Sequence, residues 1–225
     1  MALPEIHVVA GTTGAAAELA PVAQALRMAG LLVPVLVVAG ADPGAVGAAF
    51  ADLDLVADLT LPAGPAAALL TRFDRMWANR APSTVLVAGS DPAGLSAALA
   101  AFWHHIPVAH LGAGARHEDL PSSSPAPAFP ASRDPASPGP ASPPVDPEAC
   151  GRLITQLARV HLVANPIDAM NLLDEGVPAR DLMISGDDTL APRRAAQAVA
   201  AVAGLAPRPA PMPVVVPPAT ARFGG

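Results

Sequence analysis

The chain of 225 residues contains no tyrosine, one cysteine and only 3% aromatic residues. Its cationic side chains are all arginines, and lysine is absent. With Cys150 as the only cysteine, neither an intramolecular disulfide nor a cysteine-based zinc ribbon can form. The net charge is -6 and no basic run occurs, so the cationic face that nucleic-acid binding needs is missing. No stretch of roughly 18 apolar residues is free of turn formers, which argues against a membrane span. The opening Met1-Ala2-Leu3-Pro4-Glu5 lacks the basic and apolar regions of a signal peptide. The expected location is the cytoplasm.

What remains is rich in alanine, proline and glycine. Hydrophobic residues make up 52% of the chain, enough for a sizeable core, although alanine buries little area per residue. Pro at 28 and Gly at 18 predict long irregular stretches beside the packed ones.

Apolar runs alternate with helical patterns. Ile6–Ala10 reads as a buried strand, and Gly11-Thr12-Thr13-Gly14 as a turn with helix-capping hydroxyls. Leu19, Val22, Ala23 and Leu26 fall on one helical face, and Gly30 is a stop signal. Leu32–Val38 is a second strand, closed by the turn Ala39–Gly44, and the segment from Phe50 to Leu61 is ambiguous. Ala66–Ala78 is a helix with Leu69, Leu70, Phe73 and Trp77 inward. Later helices are expected over Glu148–Ala158, Ile167–Leu173 and Arg193–Ala203, with strands at Val160–Val163 and Leu182–Ile184. This alternation predicts an α/β fold, a Rossmann-like, doubly wound parallel sheet. The expected domain spans 1–190, and 191–225 would carry a helix, a linker and the truncated start of a second domain at Val214-Val215-Val216.

The organising stretch is a βαβ unit. The strand Thr84–Ala88 runs into Gly89-Ser90-Asp91, a helix covers Leu95–Trp103, and Ile106-Pro107-Val108 opens the next strand. That strand ends in His110-Leu111-Gly112-Ala113-Gly114-Ala115-Arg116. In open parallel sheets ligands sit beyond the carboxyl ends of strands. Glycines there bring backbone N–H groups close to a phosphate or sugar, and Arg116 supplies a charge for it. The same glycines also serve as plain tight turns. The opening spacing, Gly11-x-x-Gly14, is not the dinucleotide fingerprint, so a nicotinamide cofactor is not expected. From 118 to 147 the chain is rich in Pro, Ser and Ala and reads as an inserted surface loop.

Assembled in this order, the chain resembles the N-terminal half of the non-hydrolysing UDP-N-acetylglucosamine 2-epimerases, two-domain enzymes of the GT-B type. The resemblance runs with gaps from about Ile6 to about Asp188. It is strongest around Leu99-Ala100-Ala101-Phe102, Ile106-Pro107-Val108-Ala109-His110 and Leu172-Leu173-Asp174-Glu175-Gly176-Val177. In that family a proton leaves carbon 2 of the sugar, UDP departs to give a glycal, and UDP adds back with inverted configuration. The chemistry uses carboxylates on the sugar and cations on the pyrophosphate.

The family motifs are degenerate here. The first loop, Gly-Thr-Arg-Pro-Glu in the family, keeps Gly11 and Thr12 but has Thr13 for the arginine and Ala15 for the glutamate. The His-Gly-Asp motif becomes Ala88-Gly89-Ser90, with Asp91 one residue on. The Glu-Ala-Gly-Leu-Arg motif becomes Gly112-Ala113-Gly114-Ala115-Arg116. The helix start Pro-Glu-Glu becomes Pro147-Glu148-Ala149, with Arg152 nearby. The resemblance therefore implies Asp91 and Glu148 as acid–base candidates. It implies substrate contacts from Gly11, Thr12, Thr13, Ser90, His110, Gly112, Gly114, Arg116 and Arg152. No metal or cofactor is expected.

Two readings stay open. One is an epimerase half, catalytically impaired, whose partner is a UDP-sugar together with a second copy or a separate second-domain chain. The other is a non-catalytic binding or interaction domain on the same fold. Neither involves nucleic acid or membrane.

Overall fold

The computed structural model describes residues 3–115, 146–186 and 189–204. Arg116, the Pro/Ser-rich segment up to residue 145, Asp187, Asp188 and the Val214–Val216 strand expected from sequence lie outside the described residues.

Seven parallel strands form one sheet in the order β3-β2-β1-β4-β5-β6-β7. They are β1 (Glu5–Ala10), β2 (Val33–Val38), β3 (Leu59–Thr60), β4 (Thr84–Ala88), β5 (Val108–Leu111), β6 (Val160–Val163) and β7 (Leu182–Ile184). Both faces of the sheet are covered. This is why the strands read as unbroken apolar runs rather than as alternating ones. The fold class expected from sequence is the one found.

Helices α1 (Thr13–Ala29), α2 (Pro43–Ala51) and α7 (Ala191–Val202) pack on one face. There Ile6, Val8, Leu36, Leu86 and Leu162 meet Leu19, Leu26, Phe50 and Val199. Helices α3 (Ala66–Asn79), α4 (Pro92–Trp103) and α5 (Pro147–Leu157) cover the other face, against Val37, Val85, Val87 and Val108. A smaller cluster seats α6 (Pro166–Asp174) through Ala169 and Leu172 against Val163 and Leu182. Phe73 and Trp77 stack 5.2 Å apart beneath the second face, and the Trp77 indole N–H donates to His7 Nδ1 at 3.0 Å.

Four helices begin with an Asx-Pro pair: Asp42-Pro43, Asp91-Pro92, Asp146-Pro147 and Asn165-Pro166. In each, the Asx side chain accepts from first-turn N–H groups, while proline at the first helical position has no N–H to leave unpaired. Thr12 caps α1 in the same way, accepting from Ala15 N at 3.1 Å, and Gly30 ends it with φ 64°.

Two local expectations change. The residues after Gly44 continue as α2, and only the two-residue β3 emerges from the ambiguous segment. The strand expected to open at Ile106 begins at Val108, because Ile106 N is used in a turn to Ala101 O. His110, expected at a strand end, is the penultimate residue of β5. Helix α7 packs against α1 and buries Ala195, Ala198 and Val199 in the same core.

Candidate functional site

A cavity of about 570 Å³ opens at the carboxyl ends of β4 and β5. The turn after β4 contributes Gly89 and Ser90, and β5 with its turn contributes His110, Gly112 and Gly114. The first two turns of α5 face them with Glu148 and Arg152, and the start of α6 with Asn165 and Asp168. The position follows from the topology. Parallel strands point all their carboxyl ends the same way, so the following turns and helix starts converge there.

Glycines shape the wall. Gly112 and Gly114 have φ of 72° and 80°, a region L side chains rarely adopt. A Cβ at Gly114 would run into the Asp168 carbonyl oxygen and meet Leu172 Cγ at 2.9 Å. Gly114 O accepts from Asn171 Nδ2 at 2.9 Å, so this turn is tied directly to α6. Gly151 lets α5 approach the turn after β4: a Cβ there would lie 3.3 Å from Ser90 Cβ.

His110 lies in the cavity floor and is only 2% exposed. Burial lowers its pKa to about 4, so the ring is neutral at pH 7. Nε2 lies 2.7 Å from Gly89 O, which fixes the proton on Nε2 as the donor. Nδ1 therefore carries a lone pair, and it is buried without a partner among the described residues. His161 is the register partner of His110 on β6 and has a similarly buried, unpartnered Nδ1.

Asp91 is placed differently. Its carboxylate accepts from Ala93 N at 2.8 Å and Gly94 N at 2.9 Å, capping α4. Burial raises its pKa, opposed by those backbone hydrogen bonds. It lies against Gly11 and outside the cavity wall, where Ser90 stands instead. Gly11, Thr12 and Thr13 also lie outside that wall: Gly11 packs between Asp91 and Gly40, and Thr12 caps α1. Of the remaining residues singled out in the sequence, Ser90, His110, Gly112, Gly114, Glu148 and Arg152 come together in the cavity, and Arg116 lies outside the described residues. Arg152 pairs with Glu148 one helical turn away on an exposed surface.

The structure adds wall residues that sequence reasoning passed over: Glu18, Thr155, Asn165, Asp168 and Glu175. Asn165 had a local signal as an Asx-Pro cap, whereas Glu18 had none. Chemically the cavity is rich in hydrogen-bond acceptors, with Arg152 as the one guanidinium in its described wall. Among the described residues no group of three or more metal-ligating side chains occurs. None of the described helices is long and apolar enough to cross a membrane.

Residues 47–127 match the family model described as UDP-N-acetylglucosamine 2-epimerase. A UDP-N-acetylglucosamine 2-epimerase of Yersinia pestis is 32% identical over 109 residues, covering 48% of this chain and 23% of the relative. A probable UDP-N-acetylglucosamine 2-epimerase of Ralstonia nicotianae is 29% identical over 122 residues, covering 54% and 27%. Among solved structures, an S. aureus MnaA–UDP co-structure superposes with a TM-score of 0.67 at 22% identity, covering 83% of this chain and 46% of that one. A Neisseria meningitidis UDP-GlcNAc 2-epimerase bound to UDP-GlcNAc gives 0.65 at 22% identity, covering 85% and 48%. The chain thus spans about a quarter of the curated relatives and about half of the solved ones. Their fold is the GT-B type, and the sheet described above is a Rossmann-like half of it. The chain is related to the UDP-N-acetylglucosamine 2-epimerases, in sequence through residues 47–127 and in fold through about half of their length.

Proposed function

We propose that the chain is a UDP-N-acetylglucosamine 2-epimerase-like protein that binds a UDP-sugar in the cavity over β4 and β5, with its chemistry at sugar carbon 2 impaired. One observation carries the reading. Ser90 from the turn after β4, His110 from β5, and Glu148 and Arg152 from α5 converge on a single cavity in a fold shared with structures solved with UDP and UDP-GlcNAc.

The impairment has a physical basis. Asp91 uses its carboxylate to cap α4, and Arg152 is engaged by Glu148. Loss of one general acid or base costs about a hundred- to ten-thousandfold in rate. The segment 118–147 is read as an insertion in a domain that acts in the cytoplasm and is completed by a second copy or a separate chain that grips the nucleotide. The alternative is binding without chemistry on the same surface. Isothermal titration with UDP-GlcNAc and UDP tests the reading. Saturable UDP-GlcNAc binding that weakens in Ser90→Trp, which fills the cavity, supports it, and no binding by the native chain overturns it. Deuterium exchange at sugar carbon 2 in heavy water then separates impaired from absent chemistry.

A further inference from the structure

Glu18 projects from α1 across the turn after β5. Its Oε2 lies 3.3 Å from where a Cβ on Gly112 would be, so the glutamate fills the space that residue 112 leaves empty. Glu18 lines the cavity over β4 and β5 and also the adjoining groove beside Leu111, Asp168 and Ser185, standing at the junction of the two. Among the described residues it has no hydrogen-bond or ion-pair partner.

The other carboxylates of the wall are engaged. Glu148 holds Arg152, Asp168 accepts from Asn165 Nδ2 at 2.9 Å, and Glu175 has interactions of its own. A carboxylate at a cavity with no partner among the described residues is suited to taking and returning a proton. Consistent with this, desolvation pushes the Glu18 carboxyl above its ordinary range although part of the side chain is exposed at the cavity mouth. The titratable and charged groups that share the cavity with it are His110 on β5, Glu148 and Arg152 on α5, Asp168 on α6 and Glu175 at its end.

We propose that Glu18 is the proton-transfer carboxylate of this cavity, taking over the position at Gly112 that carries no side chain. The assignment rests on the UDP-sugar reading above. In the step it performs, the bond from carbon 2 to hydrogen breaks and the proton passes to the Glu18 carboxylate. The electron pair of that bond forms the double bond to carbon 1 as the bond to the diphosphate oxygen breaks, and UDP leaves as the anion. Return of a proton to carbon 2 with re-addition of UDP reverses the sequence.

The test is deuterium wash-in at carbon 2 of UDP-GlcNAc in heavy water, followed by proton NMR on the full chain and on Glu18→Gln and Glu18→Asp, with UDP-GlcNAc affinity measured in parallel. The expected result is slow wash-in by the native chain, lost by at least about a hundredfold in Glu18→Gln with affinity held within about threefold, and partly kept in Glu18→Asp. Undiminished wash-in in Glu18→Gln overturns the assignment and leaves the binding reading standing. Binding by the native chain without wash-in also overturns the assignment alone. Absence of binding by the native chain overturns the UDP-sugar reading and the assignment together.

Discussion

The carboxylate of Asp91 occupies the space that a side chain on Gly11 would have to enter. A Cβ at position 11 would run into Asp91 Oδ1, and Ala93 Cβ would lie 2.7 Å away. The turn after β1 and the cap of α4 are thereby fitted to one another. Gly11→Ala is expected to destabilise the fold by about 1–3 kcal/mol through overpacking. Asp91→Ala is expected to cost about 1 kcal/mol through the lost cap. The double variant should cost less than the sum, because removing the carboxylate makes room for the methyl group. Urea denaturation of the four proteins measures this; strict additivity would show that the two sites are not coupled.

The buried histidines predict a pH dependence. His110 and His161 both have pKa values lowered to about 4, chiefly by burial, from an ordinary 6.5. Between those values the unfolded chain binds protons that the folded chain refuses. Their contribution to stability is thus fully present above pH 6.5 and is lost as pH falls towards 4. The slope is about 1.4 kcal/mol per pH unit for each histidine protonated only on unfolding. Denaturation midpoints for the native chain and His161→Asn across this range check it. The variant should show the shallower pH dependence, and parallel curves would refute the prediction.

The hydrogen bond from Trp77 to His7 predicts a spectroscopic effect. Burial is the first cause lowering the His7 pKa, so the ring is neutral and its Nδ1 is free to accept. His7→Phe leaves the indole N–H buried without a partner, at an expected cost of about 1–3 kcal/mol. His7→Gln, which offers an acceptor again, should recover part of this. The chain has two tryptophans, and Trp103 is half exposed, so Trp77 emission is best read in a Trp103→Phe background.

The turn after β5 predicts a backbone effect. Gly114→Ala places a methyl group against the Asp168 carbonyl at a φ of 80°. This should destabilise the fold by about 1–3 kcal/mol and displace the first turn of α6. Amide chemical shifts of Asn165 and Asp168 report the displacement; unchanged shifts with unchanged stability would show that the turn tolerates a side chain.

The sheet was legible because both its faces are covered. Ile6–Ala10, Leu32–Val38 and Thr84–Ala88 read as strands without help from periodicity, and strands lie over these segments. Helix α2 was not, because Pro43–Ala51 is mostly Ala and Gly and buries only Val46 and Phe50, leaving a faint helical stripe. Its start signal, Asp42-Pro43, is the same pair that opens α4 and α5, and α6 opens with the related Asn165-Pro166. In the site, Ser90, His110 and Glu148 were legible from their places at strand ends and a helix start. Asp91 was legible as a carboxylate, but its engagement as a cap depends on how the chain turns after Gly89. Glu18 was hidden. On α1 the buried face runs through Leu19, Val22 and Leu26, and a glutamate beside it reads as solvent-facing. Only the approach of α1 to a turn nearly a hundred residues away gives it a second role.

Helix α7 buries Ala195, Ala198 and Val199 beside α1 and over the central strands, and Arg194 reaches back to Ser185 O at 2.7 Å. β4, β5 and β6, all made earlier, are sheltered on one face in part by this late helix. During synthesis the nascent chain therefore carries an unsheltered apolar surface until residues near 200 have left the ribosome.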